Sequence, residues 1–227
     1  SASMHRGLII IFYSFFVIGS SCLVAQDSLF LDSLQKELLA TTDDSARLEL
    51  EYKLEEARWN MRPSYWDSLA KRARKLELIN LEVNCLNNLG FIYLNQGQVA
   101  KALTYHQQCI TNFKQLKDQK GIAMSLNNVG YVYQHTGEIE RALEYYNKSL
   151  EIREGIEDFP GIGESLINIG FIYQDLGEIK KSLDYYHEAL GIYEGIKDKL
   201  GIATALNNIA SIYSDQGELD QTLKYYV

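Results

Sequence analysis

The sequence predicts an all-α protein in which one helical hairpin is repeated along a line. The prediction rests on an internal period and on a helical hydrophobic pattern within each period. The period is marked by glycines that follow one another at intervals of 40 residues: Gly97, Gly137, Gly177 and Gly217. Periods of roughly 20–50 residues are typical of solenoids and related arrays, in which each unit packs against its neighbours.

Each unit opens with a predicted amphipathic helix that ends near its marker glycine. The apolar and small residues Leu126, Val129, Gly130 and Tyr133 have the i, i+3, i+4, i+7 spacing that places them on one helix face. The units before and after repeat this pattern. A glycine inside a helix costs about 1 kcal/mol relative to alanine. Its recurrence therefore predicts that a neighbouring helix comes close at this position.

A second predicted helix follows each glycine turn and keeps one position small and another aromatic. The small residues are Ala102, Ala142, Ser182 and Thr222, and the aromatic position holds Tyr146, Tyr186 and Tyr226, with His106 as the exception. The first helices contribute a further small position, at Gly90, Gly130, Gly170 and Ala210, and a tyrosine position, at Tyr93, Tyr133, Tyr173 and Tyr213.

Together these positions resemble the tetratricopeptide repeat (TPR) family over residues 81–227. The resemblance implies a right-handed α–α superhelix, the TPR solenoid. This chain departs from the family in two respects. Its unit is longer than the usual one of about 34 residues, and it lacks the proline that often closes a unit.

Residues 1–25 are predicted to be a cloning scar, residues 1–3, followed by a secretory signal peptide. Met4, His5 and Arg6 precede the apolar run GLIIIFYSFFVIG, and a plausible cleavage site follows Ala25. Two alternatives stay open: lipidation of Cys22, and an uncleaved anchor over residues 8–25, which is short for a bilayer that needs about 20 residues. The signal peptide predicts an extracytoplasmic location, periplasmic or secreted, with membrane attachment as the alternative.

Residues 26–80 are predicted to hold an N-terminal capping helix and a degenerate TPR. Ser68 lies 34 residues before Ala102, which suggests a shorter helix pair here, and an atypical end unit suits a stack whose outer face meets water. Residues 81–227 are predicted to form four TPR units of 40 residues, the last truncated within its second helix. We expect the chain to be part of a longer protein, and a homodimer through the exposed last unit stays open.

Composition argues against several functions. The formal net charge of −8 and the sequence pI near 5.1 disfavour nucleic acid as a partner. The four histidines, His5, His106, His135 and His187, lack metal-ligand spacing, and no pair of carboxylates suits acid–base catalysis. We expect this segment to contain no catalytic residue, metal site or cofactor, and contact with a membrane only through the signal segment or a further C-terminal part. A catalytic domain beyond Val227 stays open.

Asparagines mark the candidate binding surface. They face away from the hydrophobic stripe of each first helix, and the first helices of such a stack line its concave side. An amide offers both a donor and an acceptor, which matches the alternating groups of an extended peptide. The candidate peptide-binding residues are Asn87, Asn88, Asn127, Asn128, Tyr131, Asn168, Asn207 and Asn208.

This arrangement resembles the TPR subgroup with asparagine ladders, exemplified by kinesin light chain. The resemblance implies a non-enzymatic scaffold that holds an extended peptide or protein segment in its groove. A structural alternative is that the amides only bridge neighbouring helices. A functional alternative, suggested by similar arrays with signal-like N-termini, is the extracytoplasmic sensory or oligomerisation domain of a membrane-bound histidine kinase or transcriptional regulator.

Overall fold

The computed structural model describes residues 22–58 and 60–226, which fold into α-helices joined by short turns, with no strand among them. The helices are α1 Cys22–Ala40, α2 Asp44–Ala57, α3 Pro63–Lys75, α4 Ile79–Asn95, α5 Val99–Leu116, α6 Gln119–His135, α7 Ile139–Gly155, α8 Phe159–Asp175, α9 Ile179–Gly195, α10 Lys199–Asp215 and α11 Leu219–Tyr226. Within this described part, none of the helices combines the length and the apolar character needed to cross a membrane.

From α2 onward the helices alternate between two rows. The first helices of the units are α2, α4, α6, α8 and α10, and each packs against the second helix that follows it. Several first helices also pack against the next first helix, such as α6 with α8 and α8 with α10. Successive second helices make no comparably close approach within the described residues. The first helices are therefore the inner row of the superhelix, and the predicted all-α solenoid is confirmed.

From α3 onward, residues with left-handed backbone conformation separate the helices. Within a unit this residue is the marker glycine: Gly137 has φ +80°, and the next N–H, of Glu138, donates to the carbonyl of Tyr133 at 2.9 Å. Between units the left-handed residue carries a side chain, as Glu157 does with φ +55°. The turns are short, and α6 and α7 have 17 residues each. The length beyond the usual repeat therefore lies within the helices.

The helix glycines allow the second helix to approach the first. A Cβ added to Gly130 would lie 2.8 Å from the ring of Tyr146, whose side chain is fully buried. The hydroxyl of Tyr146 donates to Gln134 Oε1 at 2.7 Å. Gly170 and Tyr186 repeat this arrangement one unit later. The close approach predicted from the glycine recurrence is thus confirmed.

The N-terminal region contains one further helix pair, α2 and α3, with α1 packed against α2. Trp66 on α3 is buried and lies 40 residues before His106. Ser68 is exposed, so it is not the counterpart of the buried Ala102. The second helix of this unit therefore keeps the 40-residue register, and the 34-residue spacing from Ser68 does not mark an equivalent position. Residues 1–21, which include most of the predicted signal peptide, lie outside the described residues.

The two cysteines of the repeat region are packing residues. Cys85 and Cys109 are both buried and free. Cys109 Sγ lies 3.6 Å from the carbonyl of Val83, and Ser149 makes the equivalent bond to the carbonyl of Ala123 one unit later. Burial raises the pKa of both thiols to about 12. They are therefore protonated and unreactive at neutral pH.

Candidate functional site

The inner row of helices carries the predicted asparagines on one surface. We call these residues the amide row: Asn87 and Asn88 on α4, Asn127 and Asn128 on α6, Asn168 on α8, and Asn207 and Asn208 on α10. All of them are half-buried. Each stands beside fully buried residues of its own helix, such as Val129 next to Asn128. The core therefore fixes the helix face on which the amides lie.

Hydrogen bonds between amides link successive units. Asn168 Nδ2 donates to Asn127 Oδ1 at 2.9 Å, and Asn128 Nδ2 lies 3.4 Å from Asn87 Oδ1. We call each such contact a rung. Along the chain, the first rung is the one between Asn87 and Asn128, and it is long and weak. The second rung, between Asn127 and Asn168, has ordinary geometry. The bridging role considered for these residues is therefore present, and peptide contact stays a prediction.

The amide row changes character at its C-terminal end. Ile167 occupies the position that Asn87 and Asn127 hold in the earlier units, and it is 5% exposed. An isoleucine side chain has no acceptor, so a rung from Asn208 cannot form. Within the described part of the chain, neither Asn207 nor Asn208 has a side-chain hydrogen-bond partner.

Tyr131, the remaining predicted site residue, is half-buried on α6. Its ring packs against the apolar cluster that contains Val132 and lies 6.2 Å from the ring of His135, nearly parallel to it. Burial raises the pKa of its hydroxyl. Tyr131 therefore supports the inner surface, and its predicted contact with a ligand is untested.

A buried histidine adjoins the first rung. His106 fills the position of Tyr146 and Tyr186, and its Nδ1 lies 3.4 Å from Asn87 Oδ1. In the tautomer that carries the proton on Nδ1, the imidazole donates to this oxygen. Burial lowers the pKa of His106 to about 4. The ring is therefore neutral at physiological pH.

A buried arginine reaches the inner surface from the outer row. Arg153 on α7 is 3% exposed, and its Nη2 lies 3.1 Å from Oε2 of Glu164, whose side chain is 61% exposed on α8. Nη1 donates to the carbonyl of Gly161 and to Ser165 Oγ. Nε has no hydrogen-bond partner among the residues that the structure describes. The guanidinium therefore holds the carboxylate of Glu164 in place on the inner surface.

Sequence reasoning missed Arg153 as part of this surface. The equivalent residues in the units before and after are Phe113 and Tyr193, which are core aromatics. An arginine at the end of a second helix also resembles an ordinary surface residue that favours the C-terminal helix dipole. Only the comparison with Phe113 and Tyr193 in the 40-residue register marks the position as buried.

An open cavity of about 250 Å³ lies beside the second rung, between α8 and α10. Its lining includes Asn127, Glu164, Ile167, Asn168, Tyr193, Asp198, Leu200 and Thr204. The cavity therefore joins amides, apolar side chains and carboxylates on the inner surface. A larger depression of about 420 Å³ is lined by residues of α5, α6 and α7, and none of the amide row contributes to it.

The described residues contain no group of three or more histidine, cysteine or acidic side chains placed to hold a metal ion. The polar groups of the inner surface are mainly amides and carboxylates. Such groups suit recognition by hydrogen bonds and charge.

Solved structures of the same fold support this architecture. BtubC (BKLC) from P. vanneervenii matches with a TM-score of 0.62 and 16% identity, over 89% of this chain and 86% of that one. A Rap protein complexed with competence and sporulation factor matches with a TM-score of 0.69 and 16% identity, over 89% and 69%. A putative kinesin light chain from Podosopora anserina matches with a TM-score of 0.53 and 14% identity, over 79% and 92%. At these identities the similarity shows the fold alone.

Sequence comparison identifies the family. No curated protein sequence matches the chain significantly. The family model for the tetratricopeptide repeat matches residues 82–155 and 161–226, which is more than half of the chain. The predicted family is thereby confirmed: the chain belongs to the tetratricopeptide repeat family.

Proposed function

We propose that this protein is a non-enzymatic scaffold that binds an extended peptide segment of a partner protein along the amide row. The observation that carries the proposal is a line of half-buried amides on the inner face of four successive first helices. An extended peptide presents alternating N–H and C=O groups, and amides at regular spacing can bond to both.

The rungs leave capacity for a ligand. A primary amide has two N–H donors and an oxygen with two lone pairs. The second rung uses one donor of Asn168 and one lone pair of Asn127, so each side chain retains a group for a peptide. Bridging and binding are therefore compatible, and a bridged amide is already oriented before the peptide arrives. The Rap protein of similar fold, seen complexed with a factor, supports a binding role by analogy.

Selection of peptides on the purified protein tests this proposal. A phage-displayed library of random dodecapeptides is the probe, and fluorescence anisotropy measures the affinity of an enriched peptide. The double variant Asn128→Ala/Asn168→Ala should bind it about tenfold or more weakly, because each lost hydrogen bond contributes roughly 0.5–1.5 kcal/mol. Its helicity, followed by far-UV circular dichroism, should change little.

The matched control is Asn147→Ala. Asn147 is exposed on α7, in the outer row, and within the described part of the chain its amide bonds only to its own helix, at the carbonyl of Leu143. This variant should bind like the parent. Equal affinity of the parent and the double variant for every enriched peptide would contradict the proposal.

We further propose that the protein acts outside the cytoplasm, which the basic, apolar and small-residue pattern of residues 4–25 supports. Expression of the full sequence in a bacterium should yield, in the periplasmic fraction, a protein whose first residue is Gln26. A cytoplasmic protein that retains residues 4–25 would contradict this. The alternative is the extracytoplasmic sensory or oligomerisation domain of a membrane-bound histidine kinase or transcriptional regulator, and a kinase or DNA-binding domain in the full-length gene product would support it.

A further inference from the structure

The amide row is interrupted at one place. In each rung, an asparagine of the earlier unit accepts a hydrogen bond from an asparagine of the next, as Asn127 does from Asn168. On α8, Ile167 stands where an accepting asparagine would have to be for the next rung, so the amide of Asn208 on α10 has no partner among the described residues. Both donors and both lone pairs of Asn208 are therefore available to a ligand.

The interruption borders the cavity between α8 and α10. Ile167 forms part of its apolar wall together with Leu200, which is 63% exposed. Thr204 also lines it, one helical turn before Asn208 and on the same face of α10. An apolar surface and an uncommitted amide are thus adjacent on the inner side of the superhelix.

The size of the cavity indicates what it can hold. Pockets for whole small molecules usually measure about 300–1,000 Å³, and this cavity has about 250 Å³ and is partly open to solvent. It is therefore smaller than a usual site for a whole small molecule, and it has room for one amino-acid side chain of a longer ligand. The exposed Leu200 loses contact with water when an apolar side chain enters, which favours such an occupant.

The charges around the cavity are acidic. Glu164 and Asp198 line it, and no lysine or arginine does. Arg153 neutralises Glu164 from below. Asp198 accepts the backbone N–H groups of Leu200 and Gly201 and has no ion-pair partner in the described part of the chain. A cationic group of the ligand is therefore favoured next to the apolar one.

From these contacts, and resting on the proposed peptide-binding function, we infer that this cavity is the anchor site of the groove. It receives one apolar side chain of an extended peptide. Asn208 bonds to the peptide backbone beside that side chain, and a neighbouring lysine or arginine faces Asp198.

The enriched dodecapeptides test the anchor directly. They should share a leucine, isoleucine, valine or methionine next to a lysine or arginine. Replacing the apolar residue of one such peptide by serine should weaken binding roughly tenfold or more, the effect of losing one buried aliphatic side chain. Replacing the basic residue by glutamine should weaken binding and reduce its dependence on salt. Enriched peptides without this pair would overturn the inference.

Variants of the protein locate the site. Ile167→Asn introduces the residue that the other three units carry, supplies Asn208 with an acceptor and makes the cavity wall polar. It should weaken binding roughly tenfold or more, and Ile167→Val, which keeps the wall apolar, should stay within about twofold of the parent. Thermal unfolding of both variants checks that they fold.

The outcomes separate the inference from the function on which it rests. If Ile167→Asn and Asn208→Ala both bind like the parent while Asn128→Ala/Asn168→Ala does not, the groove binds peptides elsewhere and the anchor site is wrong. If no peptide is enriched, or if none of these variants changes binding, both proposals are wrong.

Discussion

Replacing Arg153 by phenylalanine is expected to stabilise the protein, although it removes an ion pair. Arg153 is 3% exposed. Among the described residues its Nε has no partner, and its one carboxylate partner, Glu164, has a side chain that is 61% exposed. An aromatic ring fits the position, because one repeat earlier Phe113 packs in this way against Gly121, and the matching glycine beside Arg153 is Gly161 on α8.

The magnitude follows from three contributions. Removing a buried N–H without a partner recovers about 1–3 kcal/mol, and burying a phenyl ring contributes about 1.5–3 kcal/mol. Losing the guanidinium costs its hydrogen bonds and a pairing that is weakened by the exposure of Glu164, about 1–3 kcal/mol together. Ser165 can then turn its hydroxyl to the carbonyl of Gly161, one helical turn earlier. The expected net gain is about 1–3 kcal/mol in the free energy of unfolding.

Urea unfolding followed by far-UV circular dichroism measures this difference, and equal m-values in parent and variant validate the comparison. Glu164→Gln is the informative counterpart, because it leaves the buried guanidinium without a countercharge and should destabilise the protein. A phenylalanine variant that is less stable than the parent by more than about 1 kcal/mol would refute the reasoning, since it would show that the buried arginine is a net stabilising residue.

Three further predictions concern the rungs, the helix glycines and pH. Asn168→Ala should lower the free energy of unfolding by about 1 kcal/mol more than Asn208→Ala does, because of these two residues only Asn168 makes a rung. Equal urea midpoints would show that the rung does not contribute to stability. Gly130→Ala should lower the melting temperature by several degrees, because its Cβ would lie 2.8 Å from the Tyr146 ring, whereas Gly191→Ala, with open space around it, should raise it slightly. Burial lowers the pKa of His106 to about 4, so between about pH 6.5 and 4 the unfolded state binds more protons at this residue than the folded state does. As the pH is lowered through that range, His106 should therefore reduce the free energy of unfolding by about 3 kcal/mol. His106→Phe, compared with the parent by urea unfolding at about pH 7 and 4.5, should remove most of this contribution, and an unchanged fall in stability would refute the assignment.

The repeat architecture could be predicted because the same residue types recur at the same positions in successive units. The marker glycines end the first helices, and the glycines within those helices predict the approach of Tyr146 and Tyr186. Each local signal agrees with the global period, and such agreement across levels makes a fold readable from one sequence.

The backbone conformation of the turns between units was harder to predict from the sequence. Glu77, Lys117, Glu157 and Lys197 adopt the left-handed conformation, which residues with a Cβ enter at a cost of about 1–2 kcal/mol. Neither glutamate nor lysine predicts that conformation. The 34-residue spacing of Ser68 misled for a related reason, since one small residue is a weak marker, whereas the buried Trp66 keeps the true register.

The sequence predicts which helix face carries the candidate site, but it does not predict the contacts that the side chains make there. Helical periodicity places the amides together on the inner row. It does not say that Asn168 reaches Asn127, or that Arg153 crosses from the outer row to Glu164, because both depend on the distance between units. These contacts come from tertiary packing, which a helical wheel does not contain.

Three departures from the repeat pattern meet around α8, and their clustering argues for function there. Arg153 replaces an aromatic residue, and Ile167 replaces an asparagine. Asp158 bonds to Lys120 Nζ of the preceding unit at 2.8 Å, where Asp118 and Asp198 instead cap their own helices. Sequences that specify one fold break local rules mainly where function requires it. The third rung is missing next to an acidic, partly apolar cavity, which is the place where the proposed anchor site requires an amide without a partner.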